Sequence, residues 1–305
     1  MALPDVFEGT RTYLLDTELA DAFTIARFLG KPLLLEGEPG TGKTKLAQEF
    51  AEATGNKLFE FPVTSGSKIE HLISRFDDVQ RLTDAQLMIL NAQLESAGKQ
   101  PIDLQGRDPH NLDNYIILGP LALAYQTRDS VLLLDEIDKA PREFPNNLLY
   151  ALNDRKVIIP ETRRVIEAAE FPVIIITSNH EQDLPAPFVR RCVYHYIQFP
   201  DKDRMRKIVR LHYPDANQEL VGAAINIFYQ LRDLRLVRKP STSEILDWVG
   251  YLKERYGNRV PNDLSRLPGD AALLKHQADL AVLKEIKRSG IESYLAANGS
   301  RGLGH

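Results

Sequence analysis

Pro32-Leu33-Leu34-Leu35-Glu36-Gly37-Glu38-Pro39-Gly40-Thr41-Gly42-Lys43-Thr44 is the stretch that decides the fold of this chain. A short apolar run leads into a glycine-rich turn ending in Lys-Thr. Leu46, Phe50 and Ala53 then recur at helical spacing up to Gly55, a C-cap residue. Strand, glycine loop and helix, in that order, let a chain wrap a phosphate group. The glycines allow successive backbone N–H groups to converge on phosphate oxygens, and the helix N-terminus adds the positive end of its dipole. On this reading Gly37, Glu38, Pro39, Gly40, Thr41, Gly42, Lys43 and Thr44 bind ATP. Lys43 reaches the β- and γ-phosphates, and the Thr44 hydroxyl ligates Mg2+.

Two further apolar runs end in polar residues suited to the same chemistry. Val131-Leu132-Leu133-Leu134 runs into Asp135-Glu136, and Val173-Ile174-Ile175-Ile176 into Thr177-Ser178-Asn179. An aspartate at the end of a buried strand holds Mg2+, which assigns Asp135 as the second metal ligand beside Thr44. Glu136 is placed to polarise the attacking water as general base. Asn179, at the tip of the neighbouring strand, is placed to hold that water. Leu58 to Pro62 and Val193 to Ile197 complete the set of apolar runs. Continuous leucine or β-branched runs of this length suit a parallel sheet buried on both faces. Their alternation with helical segments gives an α/β layered domain.

Composition removes several other classes. The chain has 305 residues, with 38 Lys plus Arg against 42 Asp plus Glu, a formal charge of −4. That balance argues against a surface given over to nucleic acid. No apolar run approaches the ~18–20 residues of a membrane span. The first residues lack the basic-then-apolar pattern of a secretory signal. With a single cysteine, Cys192, there is no disulfide framework, and the expectation is a reduced, cytoplasmic protein. The seven histidines lack metal-ligand spacing. Asn56-Lys57 is followed by Leu58-Phe59, which excludes the base-reading motif of a GTPase. Lys45 occupies the last glycine position that a dinucleotide fingerprint needs.

Beyond Phe199-Pro200 the pattern becomes helical, with Met205, Ile208 and Val209, then Leu220 to Leu231, then Ser243 to Leu252. The expected division is an ATPase core over 1–200, a helical domain over 201–288 and a disordered tail over 289–305. Residues 75–118 interrupt the sheet pattern as an insert. Residues 157–168 read as two short apolar strands about a turn.

These motifs resemble the AAA+ ATPases, and within them the MoxR-like branch. The resemblance rests on the run from Pro32 to Thr44, on Leu132-Leu133-Leu134-Asp135-Glu136-Ile137-Asp138-Lys139-Ala140, on Ile176 to Asn179, and on Leu184 to Cys192. It implies a three-layer αβα P-loop core with a parallel five-stranded sheet, followed by a small all-helical lid. It also implies that Asn179 is the sensor-1 residue and that Arg190 or Arg191 is an arginine finger completing a neighbouring subunit's site. Many relatives place a sensor-2 arginine where this chain has Ser243, leaving Arg238 and Lys239 as the cations nearby. The implied assembly is a ring homo-oligomer, a hexamer. It would carry out chaperone-like remodelling, maturation or metal insertion of a protein client, with a von Willebrand factor A domain protein as partner. The insert and the 157–168 hairpin are implied to face the pore and the client. The alternatives are a motor acting on DNA or RNA, for which Arg163-Arg164 is the one favourable feature, and a nucleotide-gated scaffold with little turnover.

Overall fold

The computed structural model describes residues 5–298. Nine strands occur among them: β1 (Leu33–Gly37), β2 (Lys57–Pro62), β3 (Ser74–Phe76), β4 (Ile116–Leu118), β5 (Ser130–Asp135), β6 (Lys156–Ile158), β7 (Val165–Glu167), β8 (Val173–Ser178) and β9 (Val193–Ile197). Five form one parallel sheet in the order β2-β5-β8-β1-β9. The central strands are buried along nearly their whole length, which is why they read as unbroken apolar runs instead of alternating ones. The register aligns Leu134 with Ile176 and Pro62 with Asp135, so the strands end together at one carboxyl edge. In open α/β sheets ligands bind at that edge.

Two compact units result. Among the described residues, the first takes in Asp16–Glu36 and Thr44–Tyr196, and the second takes in Glu8–Leu15, Gly37–Lys43 and residues 197–298. In the first unit, α1 (Thr17–Leu29) opens with the Asp16 carboxylate accepting from the Leu19 N–H at 2.7 Å and closes at Gly30, whose φ of 59° suits a residue without Cβ. Phe23 of α1 and Phe50 of α2 (Lys43–Thr54) meet edge to face at 4.8 Å between ring centres. The following helices are α3 (Ile69–Ile73), α4 (Asp78–Ser96), α5 (Pro120–Gln126), α6 (Glu143–Asn153) and α7 (Ala186–Val189). Phe144, Leu148 and Leu152 of α6 join Leu132 and Leu134 of β5 in the core.

Helix α4 lies within the 75–118 stretch and is built differently. Its only buried residue is Asp84, while Val79, Leu82 and Ile89 are exposed. Asp84 accepts from Arg107 Nε at 2.6 Å, the Tyr115 hydroxyl at 2.9 Å and Gln80 Nε2 at 2.8 Å. The Arg107 hydrogen bond is the main reason why the Asp84 carboxyl titrates at about 2, below the usual 3.8. A depressed carboxyl stabilises the fold above its unfolded pKa and loses that contribution as pH falls through the folded value. The anchor is therefore expected to hold at pH 4 and above and to let go between about 4 and 2, read as protease cleavage appearing between 78 and 107. The substitution Asp84→Ala is expected to expose the same segment at neutral pH. Undisturbed protease resistance in that variant would show that α4 is held by something else.

The 157–168 hairpin pairs β6 with β7 in antiparallel register, Val157 opposite Ile166. Those two residues are buried, whereas Ile158 and Val165 are exposed.

In the second unit the helices are α8 (Lys202–His212), α9 (Gln218–Arg232), α10 (Thr242–Arg255), α11 (Leu280–Ser289) and α12 (Ile291–Asn298). Ser241 and Glu244 form a reciprocal capping box at the start of α10. Phe228, Trp248 and Ile286 are fully buried in one core, and the Trp248 indole N–H donates to Pro268 O at 2.7 Å. Helix α12 occupies part of the stretch expected to be a disordered tail. Buried Ile291 joins it to the helical core, a contribution that a short alanine-rich sequence does not announce. Residues 299–305 of that tail lie outside the described residues.

Candidate active site

The polar ends of β5 and β8 and the first turn of α2 form one hydrogen-bonded network. Asp135 Oδ1 accepts from the hydroxyls of both Thr44, at 2.8 Å, and Thr177, at 2.6 Å. Thr177 Oγ1 in turn accepts from the Glu136 N–H at 2.8 Å. Glu136 has φ of 59°, in the left-handed region, where a non-glycine residue costs of order 1–3 kcal/mol unless its surroundings hold it. The Thr177 bond supplies part of that hold. It aims the Glu136 side chain at Asn179, whose Nδ2 donates to Glu136 Oε1 at 2.9 Å. Lys139 Nζ lies 2.5 Å from the other oxygen, Oε2, and this hydrogen bond holds the Lys139 ammonium above the usual lysine pKa.

Asp138, only 2% exposed, accepts from the backbone N–H groups of Asn179 and Glu181 at 3.1 and 2.9 Å. One buried carboxylate thus fastens the loop after β8 to the loop after β5 and fixes the separation of Asn179 from Glu136.

Thr44 and Asp135 offer a hydroxyl and a carboxylate, both hard oxygen donors, at adjacent positions. Among the described residues no group of three or more His, Cys, Asp and Glu could form an all-protein metal cage. Magnesium is usually held by one or two protein oxygens with the rest supplied by water and substrate phosphates, so this donor pair fits it.

The glycine loop 37–43 belongs to the second unit. Lys43 is 5% exposed, and its ammonium donates to the carbonyls of Gly37 and Glu38 at 2.7 and 2.9 Å. Gly40 and Gly42 have φ of 76° and 91°, which only glycine adopts freely. A Cβ on Gly40 would also lie 2.5 Å from the Ser241 Cβ. Arg232, buried at the end of α9, stacks 3.4 Å over the Phe199 ring, donates from Nη1 to Pro240 O and forms an ion pair with Glu38 Oε2 at 2.5 Å. Ser243, Arg238 and Lys239 are all exposed, whereas Arg232 is buried.

Of the site residues read from sequence, Thr44, Asp135, Glu136 and Asn179 are joined through Thr177. Gly37 to Lys43 form the loop that runs into Thr44. Arg190 and Arg191 follow α7, both exposed, and among the described residues neither guanidinium has a hydrogen-bond or ion-pair partner. Thr177, Asp138, Lys139 and Arg232 carry structural roles that the sequence reading missed. Arg232 had a signal: it falls in the apolar stripe of Val221, Ile225 and Phe228, where a charge must find a partner. Cys192 is partly buried, and burial pushes its thiol pKa up to about 12, which leaves it unreactive.

A parallel sheet with a glycine loop after its first strand, and carboxylates and an amide at two adjacent strand ends, defines a P-loop nucleotide-binding core. The AAA domain family, dynein-related subfamily, matches residues 32–192, and the chain belongs to it. This makes it an AAA+ ATPase by family, a group that generally hydrolyses ATP with Mg2+ and commonly assembles into rings. It is also similar to midasin of Dictyostelium discoideum, 27% identical over 172 residues. That match covers 53% of this chain and 2% of midasin. No helix among the described residues is long and apolar enough to cross a membrane.

Proposed function

We propose that this chain is a ring-forming, Mg-ATP-hydrolysing ATPase of MoxR-like type that remodels, matures or loads metal into a protein client. The observation that carries the proposal is the chain of contacts Thr44–Asp135–Thr177–Glu136–Asn179. Lys43 and the loop glycines bind the phosphates. Thr44 and Asp135 would hold Mg2+, which would neutralise charge on the phosphates. Glu136 takes the proton of the attacking water, and Asn179 orients the pair. Two exposed arginines without side-chain partners among the described residues suit a role on a neighbour's nucleotide, where a cation offsets charge developing on the transferred phosphoryl group.

The α4 face and the β6–β7 hairpin are the surfaces proposed to meet the client, with a von Willebrand factor A domain protein as the partner in a cytoplasmic, hexameric assembly. A DNA- or RNA-directed motor draws on Arg163-Arg164, but Arg164 is ion-paired to Asp113 at 3.1 Å, which weakens that reading. The test mixes two inactive variants, Lys43→Ala and Arg190→Ala/Arg191→Ala. Shared sites predict partial recovery of ATPase activity in the mixture. Absence of recovery at every ratio, with both variants assembling, would rule out an arginine acting in trans.

A further inference from the structure

The Glu136 carboxylate is held at both oxygens, by Asn179 at 2.9 Å and by Lys139 at 2.5 Å. A general base needs a lone pair within reach of the water it deprotonates, and its strength depends on the negative charge left on it. The amide of Asn179 orients the carboxylate and leaves its charge in place. The ammonium of Lys139 neutralises that charge, so a Glu136 in full contact with Lys139 is a poor base.

Lys139 is not confined there. Its side chain is 41% exposed and Glu136's is 38% exposed, and an ion pair this open to water is weak enough to exchange partners. A second carboxylate is close at hand. Glu181 is exposed, and its backbone N–H is tied to Asp138, the residue that precedes Lys139. Its charge also adds to the field that raises the Lys139 pKa. Asp138 is the other anion nearby, and its Oδ1 has no partner among the described residues, but that atom is buried, so reaching it would cost Lys139 its water. Moving to Glu181 keeps the ammonium solvated.

We propose that Lys139 is a positioning residue that latches the Glu136 carboxylate, and that Glu181 is the acceptor to which Lys139 moves when Glu136 is released to its water. This rests on the reading of Glu136 as general base. The latch would set how often the base is available and leave nucleotide binding alone, so it belongs in kcat and not in KM.

Steady-state ATPase assays on the full chain test it with Lys139→Gln, Lys139→Arg, Glu181→Gln and the double variant Lys139→Gln/Glu181→Gln. Lys139→Gln is expected to raise kcat about two- to fivefold with KM unchanged, the range set by an exposed ion pair. Lys139→Arg keeps the parent rate. Glu181→Gln lowers kcat by about twofold or more, because the latch loses its alternative. The double variant matches Lys139→Gln alone, since without Lys139 there is nothing for Glu181 to draw away. A kcat for Lys139→Gln that stays level or falls, in protein that melts like the parent, overturns the latch. So does a Glu181→Gln effect that persists in the double variant. Glu136→Gln, run alongside, separates the two claims. Turnover surviving in it removes the base assignment itself, whereas a dead Glu136→Gln with an unmoved Lys139→Gln removes only the latch. Glu181→Gln, on an exposed side chain, tests the same device should Lys139→Gln fail to fold.

Discussion

Glu136→Gln is expected to lower ATP turnover by about a hundred- to ten-thousandfold while leaving ATP binding intact. The change keeps the side chain's size and the acceptor oxygen that Asn179 donates to, and removes the ability to take a proton. The Glu136 N–H bond to Thr177 comes from the backbone, so the left-handed turn that aims the side chain survives. On the proposed reading, ATP binding falls to other residues: the glycine loop, Lys43, and the Thr44–Asp135 pair. The variant should therefore hold ATP without consuming it, measured as an unchanged nucleotide Kd beside a phosphate-release rate near background. A turnover within a few-fold of the parent would mean that the water is activated elsewhere. With protein that still binds ATP, the trapped form also becomes the means of finding the client by co-purification.

Trp248→Ala is expected to produce the largest loss of stability. The indole is fully buried among Phe228, Val249 and Ile286, and its N–H is satisfied by Pro268 O at 2.7 Å. Truncation leaves a cavity and an unsatisfied carbonyl together, a loss of about 3–5 kcal/mol for an aromatic core residue. At the usual scaling this lowers the Tm on the order of 10 °C. Trp248→Phe, which keeps most of the volume, should recover much of the difference. The measurement is a thermal or denaturant melt of the full chain, with hydrogen exchange to locate the weakened region. The expected location is α9, α10 and α11, with the sheet unit less affected. A Trp248→Ala melt coincident with the parent would mean that the helical core collapses around the gap at little cost.

Much of the sheet unit was legible because its signals are local. The run from Leu33 into Gly37, the Asp135-Glu136 pair after four apolar residues, and Val173 to Asn179 each announce a buried strand ending in polar groups. A strand buried on both faces leaves no alternation to misread. What could not be read locally was pairing across long separations. Thr177 looks like one more polar residue at a strand tip until the register of β5 and β8 sets it between Asp135 and the Glu136 N–H. Asp138 and Lys139 follow the motif in sequence, but the atoms they engage lie in two turns, one around His180 and one at Glu136, whose left-handed residues no periodicity reveals. Arg232 and Glu38 are 194 positions apart and meet only after folding. Asp84 is the reverse case: an aspartate in an amphipathic-looking helix suggests a solvated face, yet it is the single residue of α4 that is buried. The leucines and isoleucine around it are partly or largely exposed.

That inversion has a consequence for how the chain can change over time. A helix held at Asp84 by Arg107 and Tyr115, with Arg81 and Asn91 bonded to the backbone of Pro109 and Ile102, places few demands on the letters elsewhere along it. Val79, Leu82, Met88, Ile89 and Leu90 can be exchanged without opening a void in the sheet unit, because none of them fills one. Gln80, Asp84, Arg107 and Tyr115 act as a socket, and the remaining outer surface of α4 is a plug that can be redrawn while the ATPase machinery beneath keeps its geometry. On the proposed role of α4 as a client surface, grafting a different helical surface onto that socket would retarget the ATPase.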